Sequence, residues 1–219
     1  MYKTEKEVAN KAEQMLEASL RQKTSSFQNH INRNNNEVSL KDATAKASVK
    51  KYGLKRNNNQ VGIYGRQGNE RRLKYLDKKY LQDGGNLNGY KVLLPKSNGS
   101  GAIGEVLSTP LIGEPLIGEP LIGHTQTYIS IGKFDTQLEA ENCMKYIKSK
   151  FARAMLGILK ITQDNPAPKW KKVPLQDFTP TSDIDWTKSI PEIDQQLYAK
   201  YGLSQDEIAF IEEKVKVMA

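Results

Sequence analysis

The chain has one cysteine, two histidines and two tryptophans in 219 residues, and these scarcities remove whole classes of function. With Cys143 alone, no intrachain disulfide can form, which points to a reducing compartment. His30 and His124 with a single thiol cannot assemble a zinc site unless carboxylates complete it. No apolar run approaches the roughly 20 residues that a membrane-spanning helix needs. The opening MYKTEKEVANK also lacks the apolar region of a signal peptide. A cytoplasmic protein is the expectation. No Ser or Cys nucleophile motif is visible. Asp77-Lys78-Lys79 and Glu212-Glu213-Lys214 contain the acid-x-Lys triplet of many nucleases, but both lack the strand-borne aspartate that should precede it.

Positive charge, by contrast, is plentiful and uneven. Residues 1–100 hold 20 Lys and Arg against 9 Asp and Glu, whereas residues 101–219 hold 13 against 16. A basic half of this size favours polyanions, of which nucleic acid is the commonest. A membrane surface or plain solubility would also use such charge.

Texture divides the chain into three parts. Residues 1–58 are rich in Lys, Asn, Gln, Ser and Ala and are broken by two Asn triplets, so they read as a basic arm, with a possible amphipathic helix over 5–20. A folded α+β domain is expected over 59–178, and a helical extension over 179–219. Val61, Ile63 and Tyr64 suggest a short strand. Glu70 to Leu81 reads as a helix, with Leu73, Leu76, Tyr80 and Leu81 on one side. Tyr90 to Leu94 reads as a strand, followed by the turn-rich loop from Pro95 to Gly101.

The pentapeptide Pro-Leu-Ile-Gly-Glu then begins at Pro110 and Pro115, and a third copy, Pro-Leu-Ile-Gly, begins at Pro120 with His124 closing it. An odd period flips strand side chains to the other face with each unit, so one copy is expected as native strand and turn and the others as an outward loop. Tyr128 to Ile131 resumes a strand. Thr136-x-x-Glu139 is a capping box that should start a helix running to about 161, with Ile147, Phe151, Ala154, Ile158 and Leu159 as its apolar stripe. Lys145, Lys148, Arg153 and Lys160 fall outside that stripe, as a solvated or phosphate-facing surface. A second box, Ser204-x-x-Glu207, starts a terminal helix. The expected architecture is one small mixed sheet from the segments near 61, 91, 111 and 129, crossed by the long helix, with basic loops along one edge.

Two loops carry the chemistry worth testing. Gly99-x-Gly101-x-x-Gly104 formally matches a dinucleotide fingerprint, but no helix opens there to hold a pyrophosphate. Lys96, Asn98 and Ser100 fit better as groups reaching phosphate or base edges. The segment after the long helix offers Thr162, Gln163, Asn165, Lys169, Trp170, Lys171 and Lys172. Asn and Gln can pair bidentately with adenine, Lys can contact guanine or phosphate, and Trp can stack on a base. Trp170 could equally pack onto the sheet. Arg66, Gln67 and Asn69 after the first strand complete the set of candidate DNA contacts.

Several pieces occur in a suggestive order: YKVLLPKSNGSG, KYIKSKFARAMLGILKITQD, VPLQDF and LYAKYGLSQDEIAFIE. Together they resemble the C-terminal target-recognition region of type II restriction-modification proteins carrying an adenine-N6 DNA methyltransferase, some fused to an endonuclease. The resemblance covers about 60–219. It implies sequence-specific binding of double-stranded DNA within a bacterial defence system, alongside a methyltransferase or endonuclease catalytic subunit. The Asn/Asp-Pro-Pro-Tyr/Phe tetrad of such methyltransferases does not occur here, nor does a plausible Gly-rich cofactor loop. No catalytic residue, cofactor or metal is therefore expected in this chain, and S-adenosylmethionine and Mg would belong to the partner. The alternatives are a non-functional remnant or scaffold, and a small nucleotide-binding enzyme using the Gly99–Gly104 loop.

Overall fold

The computed structural model describes residues 59–67, 70–80, 85–97, 113–160 and 164–218. It is an α+β fold with two three-stranded sheets, in the orders β2-β1-β5 and β4-β3-β6. The strands are β1 (Gln60–Gln67), β2 (Glu70–Asp77), β3 (Tyr90–Pro95), β4 (Leu116–Gly118), β5 (Ile122–His124) and β6 (Tyr128–Phe134). The helices are α1 (Gln137–Lys148), α2 (Lys150–Gly157), α3 (Ile190–Lys200) and α4 (Gln205–Lys214). The expected N-terminal arm lies outside the described residues.

The segment expected as a helix over 70–81 is instead β2, followed by a 3-10 turn at Lys78–Tyr80. β2 pairs antiparallel with β1, Gln67 standing opposite Glu70 and Val61 opposite Leu76. Pairing decides against the helical reading. Leu73 and Leu76 suit either conformation, but only a strand lets Leu76 join Val61 and Ile63 on one face while Leu73 joins Tyr64 on the other.

The single expected sheet is also two. The repeat explains the division: its second copy supplies β4, antiparallel to β3, and its third supplies β5, parallel to β1. Each of these copies thus gives a three-residue strand, and Glu119, Pro120 and Leu121 make the crossing between the sheets. The crossing is tight, since Leu121 takes a positive φ of 64°, a conformation that costs a non-glycine residue about 1–2 kcal/mol. Two copies rather than one are therefore sheet material, and the first copy lies largely outside the described residues.

β3 is buried on both faces. Val92 and Leu94, with Ile129 and Ile131 of β6, meet the helices in the main core, while Leu93 packs with Ile122 and Tyr128 toward the other sheet. Lys91 is 1% exposed and its ammonium donates to the carbonyls of Leu87, Glu119 and Ile122 at 2.9–3.3 Å. A buried ammonium is tolerated only when its donors are satisfied. Here it ties the sheet crossing to β3.

Thr136 caps α1 as its motif predicts, accepting from the Glu139 N–H at 3.2 Å, while Glu139 accepts from Asp135 rather than from Thr136. The helix does not continue to 161. It breaks at Ser149, which is extended (ψ 150°) and caps α2 by accepting from the Ala152 N–H. The buried Asp194 of α3 accepts from the Lys150 and Phe151 N–H groups at 3.1 and 2.9 Å. These caps satisfy the N–H groups that a new helix start leaves open. The second capping box starts α4 as expected, with Ser204 and Glu207 bonded reciprocally. Gly202, at φ 62°, ends α3 while Leu203 N–H donates back to Tyr198, a glycine-dependent helix stop.

The main core runs across the expected boundary after 178. Phe134, Tyr146, Phe178 and Trp186 interlock with centroid separations of 5.3–6.1 Å, and the Trp186 indole donates to the Asp177 carbonyl. The C-terminal helices are thus packed into the same core as the sheet.

Candidate nucleic-acid interface

The four cations that sequence sets outside the apolar stripe, Lys160 among them though it lies beyond the end of α2, are engaged internally. Lys145 donates to the carbonyls of Trp186 and Lys188, and Lys148 pairs with Glu114 at 3.1 Å. Arg153 is buried, its guanidinium donating to the carbonyls of Lys148, Ser149 and Lys216. Burial lowers its pKa to about 10, opposed by the nearby Asp194. Lys160 is also fully buried, which pulls its pKa down against the attraction of Asp164. These four side chains therefore have partners within the fold.

The segment after Asp164 has a similar internal logic. Residues Ala167–Lys172 form a 3-10 turn, and a period of three places Ala167, Trp170 and Val173 on one face. All three are buried, Trp170 at 1% exposure in the main core. Trp170 is thus a packing residue rather than an exposed stacking platform. Lys171 stands exposed on the outer side, and Lys169 and Lys172 are half-buried. Asn165 is wholly buried, with neither carboxamide atom partnered among the described residues.

The convergence of loops occurs at the other end of β3. Lys96 N–H donates to the Thr127 carbonyl at 3.0 Å, and Asn165 N–H donates to the Lys96 carbonyl at 2.8 Å. Ser97 and Asp164 add an antiparallel bridge. The backbone therefore clamps three distant segments side by side. The Thr125–Tyr128 turn closes with its own hydrogen bond, and the Thr125 and Thr127 hydroxyls lie 2.9 Å apart. Arg71 of β2 reaches the same place. Together Arg71, Lys96, Ser97, Gln126, Thr127 and Asp164 line an open cleft of about 740 Å³.

Tyr128 forms the floor beneath Arg71. Its side chain is 1% exposed, its ring lies 6.2 Å from that of Tyr64, and the Arg71 guanidinium sits 5.8 Å from its centroid. Burial pushes the Tyr128 pKa up, and the Arg71 charge opposes that rise. Its hydroxyl has no hydrogen-bond partner among the described residues.

Lys96 and Asn165 are thus brought together, and register puts Arg66 opposite Arg71 and Gln67 opposite Glu70 at the end of the same hairpin. Asn69, Asn98, Ser100, Thr162 and Gln163 lie outside the described residues, as does the Gly99–Gly104 loop. Sequence reasoning missed Arg71, Gln126, Thr127 and Asp164. A signal for Arg71 was present: β-like runs flank the dipeptide Gly68-Asn69, the length and composition of a tight hairpin connection. The described residues contain no group of three or more His, Cys, Asp or Glu able to hold a metal, and no helix long and apolar enough to cross a membrane.

No protein-family model matches the chain, and neither the curated proteins nor the solved structures contain a significant match to it.

Proposed function

We propose that this chain is the DNA target-recognition module of a restriction-modification system, reading a duplex while a separate catalytic subunit methylates or cuts it. One observation carries the reading: hairpin, β3 loop, Thr125–Tyr128 turn and post-helix segment converge on one cleft bearing Arg71, Lys96, Gln126 and Thr127. Cations beside amide and hydroxyl groups are what a surface needs to hold phosphates and read base edges. The basic first hundred residues and the ordered resemblance to target-recognition regions support the same role. A cytoplasmic location goes with it, and S-adenosylmethionine and Mg are assigned to the partner.

The test is fluorescence anisotropy of a labelled duplex with the full chain over a salt series. Logarithmic affinity should fall linearly with logarithmic salt. Lys96→Ala and Lys171→Ala should each flatten the slope by about 1 and weaken all duplexes alike. Affinity no greater than that of a charge-matched control protein would sink the proposal and leave the scaffold reading.

A further inference from the structure

Two adjacent arginines on β2 have opposite surroundings. Arg72 is neutralised by Glu70, whose carboxylate accepts from its Nε at 2.7 Å and from a terminal nitrogen as well. Arg71 has no carboxylate partner among the described residues and rests on the face of Tyr128. Strand alternation accounts for the difference. Leu73, on the same face as Arg71, packs with the cluster of Leu93, Ile122 and Tyr128 between the sheets. Arg71 is therefore held at the mouth of that interface.

The seat is firm. Tyr128 is buried and paired with Pro95 across β3 and β6. A guanidinium held over a ring spends no N–H donor on the contact and keeps its fork for a planar acceptor pair. Lys96 supplies a point charge to the same cleft, suited to phosphate. Asp164 supplies the opposite charge. A carboxylate is out of place in a site built only for phosphate, yet it suits an amino donor such as cytosine N4.

We infer that Arg71 and Asp164 read a G·C base pair in the major groove, Arg71 donating to guanine O6 and N7 and Asp164 accepting from cytosine N4, with Tyr128 positioning Arg71. The inference rests on the DNA-reading role proposed above and extends it to a base pair and the residues that select it. Arg71→Lys keeps the charge but loses the fork, so it should cost about tenfold to a hundredfold on the cognate duplex. Non-specific affinity and salt slope should not change. Asp164→Asn should relax preference at the same base pair.

The experiment is selection of bound duplexes from a library with a randomised centre, using the full chain. The unmodified chain should enrich a motif containing a G·C position that Arg71→Lys and Asp164→Asn no longer fix, the other positions persisting. Tyr128→Phe keeps the ring and should retain the motif, whereas Tyr128→Leu should lose that position. Thermal unfolding of each variant separates a lost contact from a lost fold, and Arg71→Lys, on an exposed edge, should melt like the parent. An identical motif from the parent and Arg71→Lys overturns this inference while leaving the DNA-reading role intact. Enhanced affinity of Asp164→Asn for all sequences alike would reduce Asp164 to a repelling charge and overturn its assigned contact. Failure of the unmodified chain to bind DNA overturns both proposals.

Discussion

One strand, β3, separates two regions built by different means. On its helical side, Val92 and Leu94 join a core that takes in all four helices and the Phe134, Tyr146, Phe178 and Trp186 aromatics. On its hairpin side, Leu93 joins a small cluster with Ile122 and Tyr128, and Val61, Ile63, Leu76 and Leu87 form another. Polar ties do much of the joining there: Lys91 to three carbonyls, and Asn86 to the Ser130 hydroxyl and the Gly132 carbonyl. On the helical side Lys145, Lys148, Lys150 and Arg153 are engaged by carbonyls and carboxylates, whereas Arg71 on the hairpin side faces a cleft. Buried polar groups normally find partners. The Tyr128 hydroxyl and the Asn165 carboxamide are buried and unpartnered among the described residues.

The contrast is broken most severely at Trp170. Trp170→Ala removes the largest fully buried side chain and should cost about 3–5 kcal/mol in urea unfolding. DNA affinity of the fraction still folded should stay near that of the parent. A large affinity loss at unchanged stability would return Trp170 to the binding surface and erase the distinction between the two sides. Lys91→Met tests the polar tie itself. It keeps the aliphatic length but leaves three carbonyls short of a donor, so about 2–3 kcal/mol of stability should be lost. If the variant is as stable as the parent, the hairpin side is held by its apolar clusters alone.

A smaller effect sharpens the helical side. Burial raises Asp194 to a pKa of about 6, overriding the N–H groups of Lys150 and Phe151 and the Arg153 charge that pull it down. The folded protein therefore binds this proton more tightly than the unfolded chain. Stability from this group is lowest above pH 6 and increases as pH falls through about 6 toward the ordinary carboxylate value. Between pH 7.5 and 4.5, the parent should gain roughly 2 kcal/mol relative to Asp194→Asn in denaturant titrations. Parallel pH curves for the two proteins would contradict the raised value.

What the sequence made legible was local. Thr136 and Ser204 announce their helices because a cap and its partner sit within four residues of each other. Ser149 did not announce its break, because the carboxylate that supports the new start belongs to Asp194, 44 positions away for Lys150. β2 looked helical because its composition is charged and its leucines fit both periods, and pairing with β1 decides the matter. Trp170 was ambiguous for want of the 3-10 period that turns it inward. The cleft was the least legible feature, since residues near 71, 96, 126 and 164 meet only through tertiary hydrogen bonds. Lys96 and Asn165 could be named singly, but not their junction.

The repeat has a hereditary consequence. Because its first two units are identical and the third differs only in ending on His124, a copying error that adds one Pro-Leu-Ile-Gly-Glu unit lengthens only the chain ahead of Gly113 and delivers the same residues to β4 and β5. An error that removes one unit also preserves Pro115 to His124. It replaces Gly113 and Glu114 with the Ser and Thr that now precede the repeat, deleting the Lys148–Glu114 ion pair. Lineages can thus differ in repeat number while inheriting the same two sheets, with a lost unit marked by one missing surface pair worth about 0–1 kcal/mol.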